Sequence, residues 1–540
     1  MHATRRALRR FARSLNHRDD FNISFTTRGA IVGSDPRLLM LSENDGAPPP
    51  PPPPSWNVAG QGLIRNSALS RTFARDFGTL ARRKEPPEPQ GLPFLGTMLS
   101  LLMAGGAKKL NEYVDKRHRE LGPVYREQIG PLRAVFVNSP NEYRKILVDL
   151  AGSTPEHFLP EAWMLYNEIR AQDRGLLFMD GEEWWHHRKI LNKVMLKPDP
   201  KAFLCTPCQE VAENLTRKWK TYSQAGRIIP NLEHELYQWS IEVMLAVMIG
   251  SQWRDCEPRL RSEIEYVATM VHKIFVYSAS LSMISARMAM KFKLPVWTKF
   301  VNTVDTVLNR VRNLVPEIIQ FSDDGLLQMM INNGIRDDKT SRIVTDFITA
   351  AGDTTSVTMQ WTLLLLSSHP ELQDKLFHDI KDLPLEELLQ HQLLRSTWRE
   401  ALRLYPVAPF LTRYLPVDAT IGDYFVPKGE LIILSLYSSA RDENNFPRPN
   451  EFWPERWIKT GEDSLHYQGV KDARASIPFA VGLRNCIGRR LAETQLSLTL
   501  AQIIKNFKIE CENQDRIKMI LHLISVPSEP VKLKLIDRKV

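Results

Sequence analysis

The 540-residue sequence predicts one mainly α-helical domain with a small β region. Two long segments, 236–249 and 304–319, carry apolar residues at helical spacing, and 110–118 has the same character. Short runs rich in β-branched and aromatic residues predict strands at 124–128 and 134–137, around the turn Gly130-Pro131, and later at 431–436 and 531–535. The chain contains no internal repeat. A hydrophobic content of 43% allows a sizeable core.

The net charge of +9 is concentrated near the N-terminus. Residues 1–84 contain fourteen Lys and Arg against six Asp and Glu, a balance of +8, whereas the remaining chain carries only +1. A nucleic-acid-binding protein needs a basic surface that matches a phosphate backbone. The nearly neutral body of the chain therefore argues against a nucleic-acid partner.

The first eighteen residues are rich in arginine and contain no acid. Leu8, Phe11 and Leu15 recur there at helical spacing, which is typical of a mitochondrial presequence, and a disordered basic tail is the alternative. A polyproline run at 48–54 follows, and a proline-rich stretch at 86–93 marks the entry to the folded domain. We therefore predict a presequence and disordered segment over 1–84 and a folded domain over 85–540. No run of eighteen apolar residues offers a transmembrane anchor.

The five cysteines are too few and too scattered for a disulfide framework. Cys205 and Cys208 form a Cys-x-x-Cys pair. A redox or zinc role would need a thioredoxin-like context or a second pair of ligands, and neither is present. The role of this pair stays open.

The stretch 479–488 reads Phe-x-x-Gly-x-Arg-x-Cys-x-Gly, and Arg489, Arg490 and an apolar helical segment at 491–504 follow it. A metal-ligating thiolate needs small neighbours, because glycines let backbone N–H groups approach the sulfur. The start of a helix adds positive potential that keeps the sulfur ionised. A buried structural cysteine is the alternative, but it does not explain the five fixed residue types of this pattern. The stretch thus favours Cys486 as a thiolate ligand.

This loop resembles the haem-binding signature of the cytochrome P450 family at every fixed position, and the resemblance extends from about Pro86 to the C-terminus. It implies the cytochrome P450 fold, a single large haem-binding domain. It implies haem b, with Cys486 as the iron ligand, and a thiolate in that place favours O–O cleavage. The residues that the resemblance assigns to cofactor binding are Trp184, Arg188, Arg413, Phe479, Arg484 and Cys486.

Trp184 and Arg188 are four residues apart, so on a helix both can meet one anionic group. The resemblance makes that group a haem propionate, and it gives Arg413 and Arg484 a propionate as partner too. A core tryptophan beside a solvent-facing arginine is the alternative for the first pair.

The segment 347–356 places small residues, an acid and neighbouring hydroxyls inside a long apolar helix. Burying Asp353 without a partner is costly, and Ser or Thr hydroxyls can bond to the carbonyl four residues earlier and open the helix locally. The resemblance makes this segment the oxygen-activating kink, where Asp353 and Thr354 are catalytic and deliver protons to dioxygen through water. The family's usual Ala-Gly-x-Asp-Thr order departs here, since Ala351 stands where Gly is common.

Glu400 and Arg403 form a Glu-x-x-Arg pair, which alone is a weak signal because such pairs are mostly solvated. Together with the segment 452–457 at family spacing, the resemblance makes Glu400, Arg403 and Arg456 a buried structural triad that shapes the haem pocket.

The positions of four basic residues indicate which kind of protein donates the electrons. Arg395 and Arg399 share one helix face, and Arg489 and Arg490 follow Cys486. The resemblance to mitochondrial members of the family implies that these four residues dock an acidic 2Fe–2S ferredoxin, which receives electrons from NADPH through ferredoxin reductase. It also implies a location on the matrix face of the inner mitochondrial membrane, with peripheral membrane association.

The segments that line the substrate pocket by family position are apolar, which suits a sterol-sized lipid. The pocket residues implied in this way are Trp163, Phe275, Ala350, Val407, Phe410 and Ile524. The stretches 175–184, 271–275, 294–297, 405–410 and 413–419 resemble the family members that hydroxylate ecdysteroids at C2 in insects. The implied reaction converts 2-deoxyecdysone to ecdysone in moulting-hormone biosynthesis.

Three alternatives remain open. Family members that act at C22 or C20 of the same steroid share most of the haem scaffold. A haem-thiolate isomerase or dehydratase needs no reductase, but the acid–alcohol pair and the basic docking residues argue against it. A haem-based sensor does not explain the proton-delivery segment.

Overall fold

Helices with one apolar stripe dominate the protein, whose computed structural model describes residues 84–171, 175–196, 201–282, 284–335, 337–461 and 466–538. The predicted presequence and the polyproline run lie outside the described residues. The first helices are α1 (Met98–Met103), α2 (Leu110–Leu121), α3 (Pro140–Arg144), α4 (Glu161–Arg170), α5 (Gly181–Met195), α6 (Thr206–Gln224) and α7 (Leu232–Ile249). The later helices are α8 (Trp253–Leu281), α9 (Ala286–Lys291), α10 (Pro295–Phe321), α11 (Leu326–Asn332), α12 (Asp337–Ser367), α13 (Pro370–Ile380), α14 (Leu385–Leu388), α15 (Gln392–Leu404), α16 (Leu436–Ser439) and α17 (Arg489–Asn506).

The strands form small sheets. They are β1 (Val124–Ile129), β2 (Leu132–Val137), β3 (Phe410–Tyr414), β4 (Ala419–Ile421), β5 (Tyr424–Val426), β6 (Leu431–Ser435), β7 (Phe507–Cys511), β8 (Met519–His522), β9 (Ile524–Pro527) and β10 (Leu533–Asp537). The largest sheet has the order β1-β2-β6-β3, with β2 and β6 parallel and the other pairs antiparallel. The pairs β7–β10, β4–β5 and β8–β9 are antiparallel.

The core lies where α7, α12 and α17 pack together. Helix α7 is buried on nearly all sides, as expected for a helix that is apolar all round. Its Trp239 donates from Nε1 to Oγ1 of Thr499 at 3.1 Å, which ties α7 to α17. Ser240 Oγ donates to the carbonyl of Ala351 at 2.7 Å and accepts from Nε2 of Gln495 at 3.1 Å, so one hydroxyl joins all three helices.

The predicted fold class, mainly α with a small β region, is confirmed. The segments 236–249 and 304–319 lie within α7 and α10, and the early strand pair forms around the predicted turn. The last strand begins two residues later than predicted, because its pairing with β7 starts at Leu533 opposite Cys511. Within the described ranges, no helix combines the length and apolar character needed to cross a bilayer.

Candidate active site

The loop that carries Cys486 is closed by its own backbone before α17 begins. The Cys486 N–H donates to the Phe479 carbonyl at 2.8 Å, and Ala480 and Gly482 adopt positive φ angles of 55° and 83°. A Cβ at Gly482 would lie 2.2 Å from the carbonyl oxygen of Leu147, whereas one at Gly429, with φ of 82°, would meet nothing within 4 Å. Gly482 is therefore needed for close approach to the turn Lys145–Asp149 as well as for its φ angle.

The environment of Cys486 sets the pKa of its thiol. Its side chain is exposed by surface area, yet the protein around it raises the pKa of the thiol by burial. The Gly488 N–H bonds to the sulfur, and Arg188 and Arg489 also favour the thiolate, while Glu493 opposes it. Because a metal ion deprotonates a coordinating thiol outright, iron would reverse the net effect of burial.

Helix α12 presents two small side chains in the middle of an otherwise buried stretch. Ala350 and Thr354 are exposed and lie on one face, four residues apart, while Gly352 and Asp353 between them are buried. Thr354 Oγ1 donates to the Ala350 carbonyl at 2.8 Å. The predicted bond to the carbonyl four residues earlier thus forms, but α12 runs through this segment without a break.

Asp353 is 1% exposed, and its Oδ2 has no hydrogen-bond partner among the described residues. Burial raises the pKa of this carboxyl well above its usual range, and the charge of Glu233 adds to the effect. Burial therefore favours the protonated form of Asp353, which is the form that can donate a proton.

Three arginines, Arg188, Arg413 and Arg484, converge near Cys486. Arg188 Nη2 donates to the Asn485 carbonyl at 2.7 Å, and Arg413 Nη1 donates to the Thr412 carbonyl at 2.7 Å. Burial lowers the pKa of Arg188 and of Arg413 to about 10, and the positive charge of Arg484 adds to the effect at both groups. At Arg188, the charge of Cys486 partly offsets this lowering. The Nε of each arginine is buried and lacks a hydrogen-bond partner in the described part of the chain.

Arg484 is held on the opposite side by α5. Its Nη2 donates to the Met179 carbonyl at 2.6 Å and to Asp180 Oδ1 at 2.8 Å. Its guanidinium lies over the Trp184 ring, 4.3 Å from the centroid. Trp184 therefore contacts Arg484 directly, whereas Arg188, one turn later, reaches the loop at Asn485. The sequence predicted that Trp184 and Arg188 meet one anion, and the structure brings both to the Cys486 loop.

His157 belongs to this cluster, although no sequence pattern predicted it. Its Nδ1 accepts a hydrogen bond from Arg484 Nη1 at 3.1 Å. Burial, with the charges of Arg484 and Arg413, lowers the pKa of His157 to about 3, so the ring is neutral at physiological pH. A lone histidine in a loop carries no local signal, because only the fold brings it to the arginines.

This set of residues fits a haem. Buried cations that repel one another and keep unpaired donors need an anion, and the two propionates of haem supply carboxylates of the right charge. A lone soft thiolate donor suits iron in haem. Among the described residues, no group of three or more His, Cys, Asp and Glu side chains forms a separate metal site. The residues that would hold the group are Trp184, Arg188, Arg413, Phe479, Arg484 and Cys486.

The predicted structural triad is assembled and fully buried. Arg403 donates from Nε and Nη2 to the Glu400 carboxylate at 2.9 and 2.8 Å, and Arg456 Nε donates to Glu400 Oε1 at 2.8 Å. Trp457 Nε1 adds a bond to Glu400 Oε2 at 2.8 Å. The two guanidinium groups bind carbonyls of the loop that follows α16, including those of Pro449 at 2.6 Å and Pro447 at 2.7 Å.

Of the predicted docking residues, Arg399 departs from expectation. Arg395 is exposed, and the side chains of Arg489 and Arg490 are 49% and 42% exposed beside Glu493. Arg399 is only partly exposed: its guanidinium lies 3.8 Å from the Trp457 ring centroid, and its Nη1 donates to the Tyr467 hydroxyl at 3.1 Å. Helical spacing correctly paired Arg399 with Arg395, but aromatic rings from a distant segment cover it.

The predicted pocket residues fall into two groups. Val407 and Ile524 are neighbours, since the Ser525 N–H donates to the Val407 carbonyl at 3.0 Å. Trp163 and Phe275 pack against the main helical core, and Ala350 lies on the exposed face of α12. Phe410 instead packs against the separate cluster around β1 and β2. Alternation along β3 places Phe410 and Arg413 on opposite faces, so these two side chains do not point the same way.

Cys205 and Cys208 are buried and unbridged. Burial raises the pKa of Cys208 well above its usual range, with the charge of Cys205 adding to the effect. A buried thiol that stays protonated is inert. The pair that the sequence left open therefore has the character of core residues.

The chain matches known proteins over most of its length. Residues 86–535 match the family model for cytochrome P450. The chain is 36% identical over 473 residues to "Cytochrome P450 315a1, mitochondrial" of Drosophila melanogaster, covering 84% of this chain and 88% of the relative. It is 28% identical over 464 residues to "Cholesterol side-chain cleavage enzyme, mitochondrial" of Oncorhynchus mykiss, covering 82% and 88%. It is 27% identical over 475 residues to "Cytochrome P450 10" of Lymnaea stagnalis, covering 84% and 85%.

The match to the family model spans most of the chain, and the first relative exceeds one third identity over most of its own length. Electrons in the mitochondrial class pass from NADPH through ferredoxin reductase and a 2Fe–2S ferredoxin to haem with a cysteine thiolate ligand. The chain therefore belongs to the cytochrome P450 family, in which it is a haem-thiolate monooxygenase of the mitochondrial class.

Proposed function

We propose that this monooxygenase hydroxylates an ecdysteroid precursor at C2, converting 2-deoxyecdysone to ecdysone. The observation that carries the monooxygenase chemistry is on helix α12, where the exposed side chains of Ala350 and Thr354 flank the buried acid Asp353. The choice of steroid rests on the five stretches that resemble ecdysteroid C2 hydroxylases and on the higher identity to an insect relative than to the cholesterol enzyme.

Each residue of the site then has a role in haem binding or in proton transfer. Cys486 would ligate the iron, and Arg188, Arg413 and Arg484 would neutralise the propionates. Haem, when bound, supplies the activation of dioxygen and the insertion of one oxygen atom into a C–H bond. Asp353 is the acid of the pair, and burial raises the pKa of its carboxyl and so favours the protonated form. Thr354 carries a hydroxyl on the exposed face of α12, where it can pass that proton onward.

Apolar side chains would position the steroid. Val407 and Ile524 are joined through the backbone of their segments, and Ala350 leaves room above α12. Trp163 stacks on Phe178 with ring centroids 5.3 Å apart, which gives that side of the pocket a rigid aromatic wall. Such a surface recognises a steroid by shape more than by hydrogen bonds.

The function is tested by mass spectrometry of the products formed from 2-deoxyecdysone by the holoenzyme with ferredoxin, ferredoxin reductase and NADPH. The proposal expects one added oxygen at C2. A 22-deoxy relative of the substrate, offered in parallel, reports activity at C22. Oxygen at C22 or C20 would overturn the C2 assignment, and product formed without NADPH would favour an isomerase or dehydratase.

We also propose that Arg395, Arg489 and Arg490 dock the ferredoxin. Arg395 and Arg489 both lower the pKa of Arg399 by their charge, after the larger effect of burial, so the basic groups of α15 and α17 lie near one another. Clustered exposed cations speed association with an acidic partner, and salt screens the effect.

Arg395→Glu is expected to weaken ferredoxin binding about tenfold at low salt, because it reverses an exposed charge at the proposed interface. The measurement is the ferredoxin dependence of NADPH oxidation at two salt concentrations. Arg312→Glu, at an exposed position of α10, is the matched control and should leave the ferredoxin dependence unchanged. Equal ferredoxin dependence in the two variants would contradict the docking site. Arg399 is unsuited to this test, because its contacts with Trp457 and Tyr467 are internal.

Residues 1–84 are proposed to direct the protein to mitochondria and the folded domain to the matrix face of the inner membrane. The segment 92–103 supports peripheral association, since Phe94 is 92% and Met103 is 82% exposed. Leu92, Leu95 and Leu99 add to this apolar surface. Phe94→Ser is expected to reduce co-sedimentation with vesicles that contain cardiolipin, and unchanged co-sedimentation would rule out this surface.

A further inference from the structure

The buried Asp353 carboxyl needs a route by which it regains the protons that it gives up. It is 1% exposed and would give up protons during turnover. Monooxygenation consumes one dioxygen, two electrons and two protons for each C–H bond hydroxylated, and it releases one water. An acid that supplies these protons must be re-protonated from solvent in every cycle. Its own helix does not expose it, so a route must pass through a neighbouring element.

Helix α7 is that neighbour. A Cβ at Gly352 would lie 3.2 Å from Cγ1 of Ile241 and 3.9 Å from Cδ1 of Tyr237, so α7 and α12 touch beside Asp353. Glu233 lies one turn before Tyr237 on the same face of α7. Its charge acts on Asp353 and raises the pKa of that carboxyl further, after the larger effect of burial.

Glu233 is paired at the protein surface. Its Oε1 lies 3.4 Å from Nδ1 of His272 on α8, and the His272 ring meets Tyr237 edge-on with centroids 5.4 Å apart. The side chains of Glu233 and His272 are 36% and 41% exposed. The pair thus touches solvent on one side and the α7–α12 contact on the other.

We propose that Glu233 and His272 form the solvent end of a proton route that re-protonates Asp353 during turnover. The route rests on the proposed role of Asp353 and carries protons only, since NADPH supplies both electrons through ferredoxin. A carboxylate and an imidazole can each accept a proton from water and release it again, which suits them to a relay. The route requires water between this pair and the buried carboxyl of Asp353.

The other charged groups around His272 do not replace this route. His522 on β8 interacts with His272 by charge, and Lys108 interacts with His522 in the same way. Burial, with the charges of Lys108 and His272, lowers the pKa of His522 to about 4, so this ring is neutral during turnover at physiological pH. Lys108 acts on His522, while Glu233 is the acid that contacts His272 and also acts on Asp353.

The test compares Glu233→Gln and His272→Gln with Glu265→Gln, an exposed acid two turns before His272 on α8. NADPH oxidation by the holoenzyme with ferredoxin, reductase and 2-deoxyecdysone is measured in H₂O and D₂O across pH. Both relay variants are expected to turn over about tenfold more slowly, with a larger solvent isotope effect. Glu233→Asp should recover most of the rate, and Glu265→Gln should match the unsubstituted enzyme.

Two outcomes would overturn the route: unchanged rate and isotope effect in both relay variants, or a slower rate with an unchanged isotope effect, which indicates a structural role. The spectrum of the reduced carbon monoxide complex should be the same in all variants, since none contacts the Cys486 loop. The comparison holds whichever carbon receives oxygen, so a product hydroxylated away from C2 would correct the proposed function and leave the route standing.

Discussion

Cys486→Ser is expected to abolish monooxygenase activity and to remove the red-shifted Soret band that a haem-thiolate protein shows when reduced and exposed to carbon monoxide. A serine hydroxyl stays protonated where a thiol would ionise, and it cannot supply the electron density of a thiolate. The loop itself should survive, because its closing bond joins the backbone of residue 486 to the Phe479 carbonyl, and serine retains it.

Cys511→Ser is the matched control. Cys511 is partly exposed at the end of β7, where its Sγ donates to Asn513 Oδ1 at 3.5 Å. Its substitution should leave both the spectrum and the product yield unchanged. Retention of the thiolate-type band in Cys486→Ser would show that another group ligates the iron, and the site described here would then be wrong.

Glu400→Gln is expected to prevent accumulation of folded, haem-loaded protein. The carboxylate faces two buried guanidinium groups and also accepts from Trp457 Nε1 and the Trp453 N–H. Replacing it by a neutral amide leaves Arg403 and Arg456 without a counter-charge in the interior. Breaking a buried pair in this way costs about 3–5 kcal/mol, a large share of the stability of a typical domain.

The effect is measured as haem content and as the thermal midpoint of unfolding. Glu257→Gln is the control, because Glu257 pairs with Arg261 at 2.9 Å within α8, where the side chains of the acid and the arginine are 16% and 64% exposed. A surface pair one helical turn apart contributes about 0.5 kcal/mol or less. If both variants had the same midpoint, the buried triad would not be the structural element proposed here.

Some features of the protein could be predicted from local sequence pattern. The Cys486 loop could be predicted because its chemistry needs fixed residue types at fixed spacing. Helices α7, α10 and α12 could be predicted because their apolar residues recur every three or four positions. Asp353 could be singled out because an acid inside an apolar helix is costly, and the structure finds it buried with an unpaired oxygen.

Other positions depended on contacts between distant segments. Arg399 has the spacing of a surface residue, but Trp457 and Tyr467 cover it. Phe410 is close to Arg413 in sequence, yet strand alternation and the β1–β2 cluster turn it away. His157 and the Glu233–His272 pair carry no local signal, because each gains its role only from a partner on another element.

The sequence alone thus determined the mainly helical class, the thiolate loop and the acid–alcohol pair, since each is encoded within one turn or one helix face. The tertiary structure decided which arginines gather around Cys486, which basic residues stay exposed and how Glu233 and His272 come together beside the α7–α12 contact. Those answers depend on how elements far apart along the chain pack against one another, and local spacing does not encode that packing.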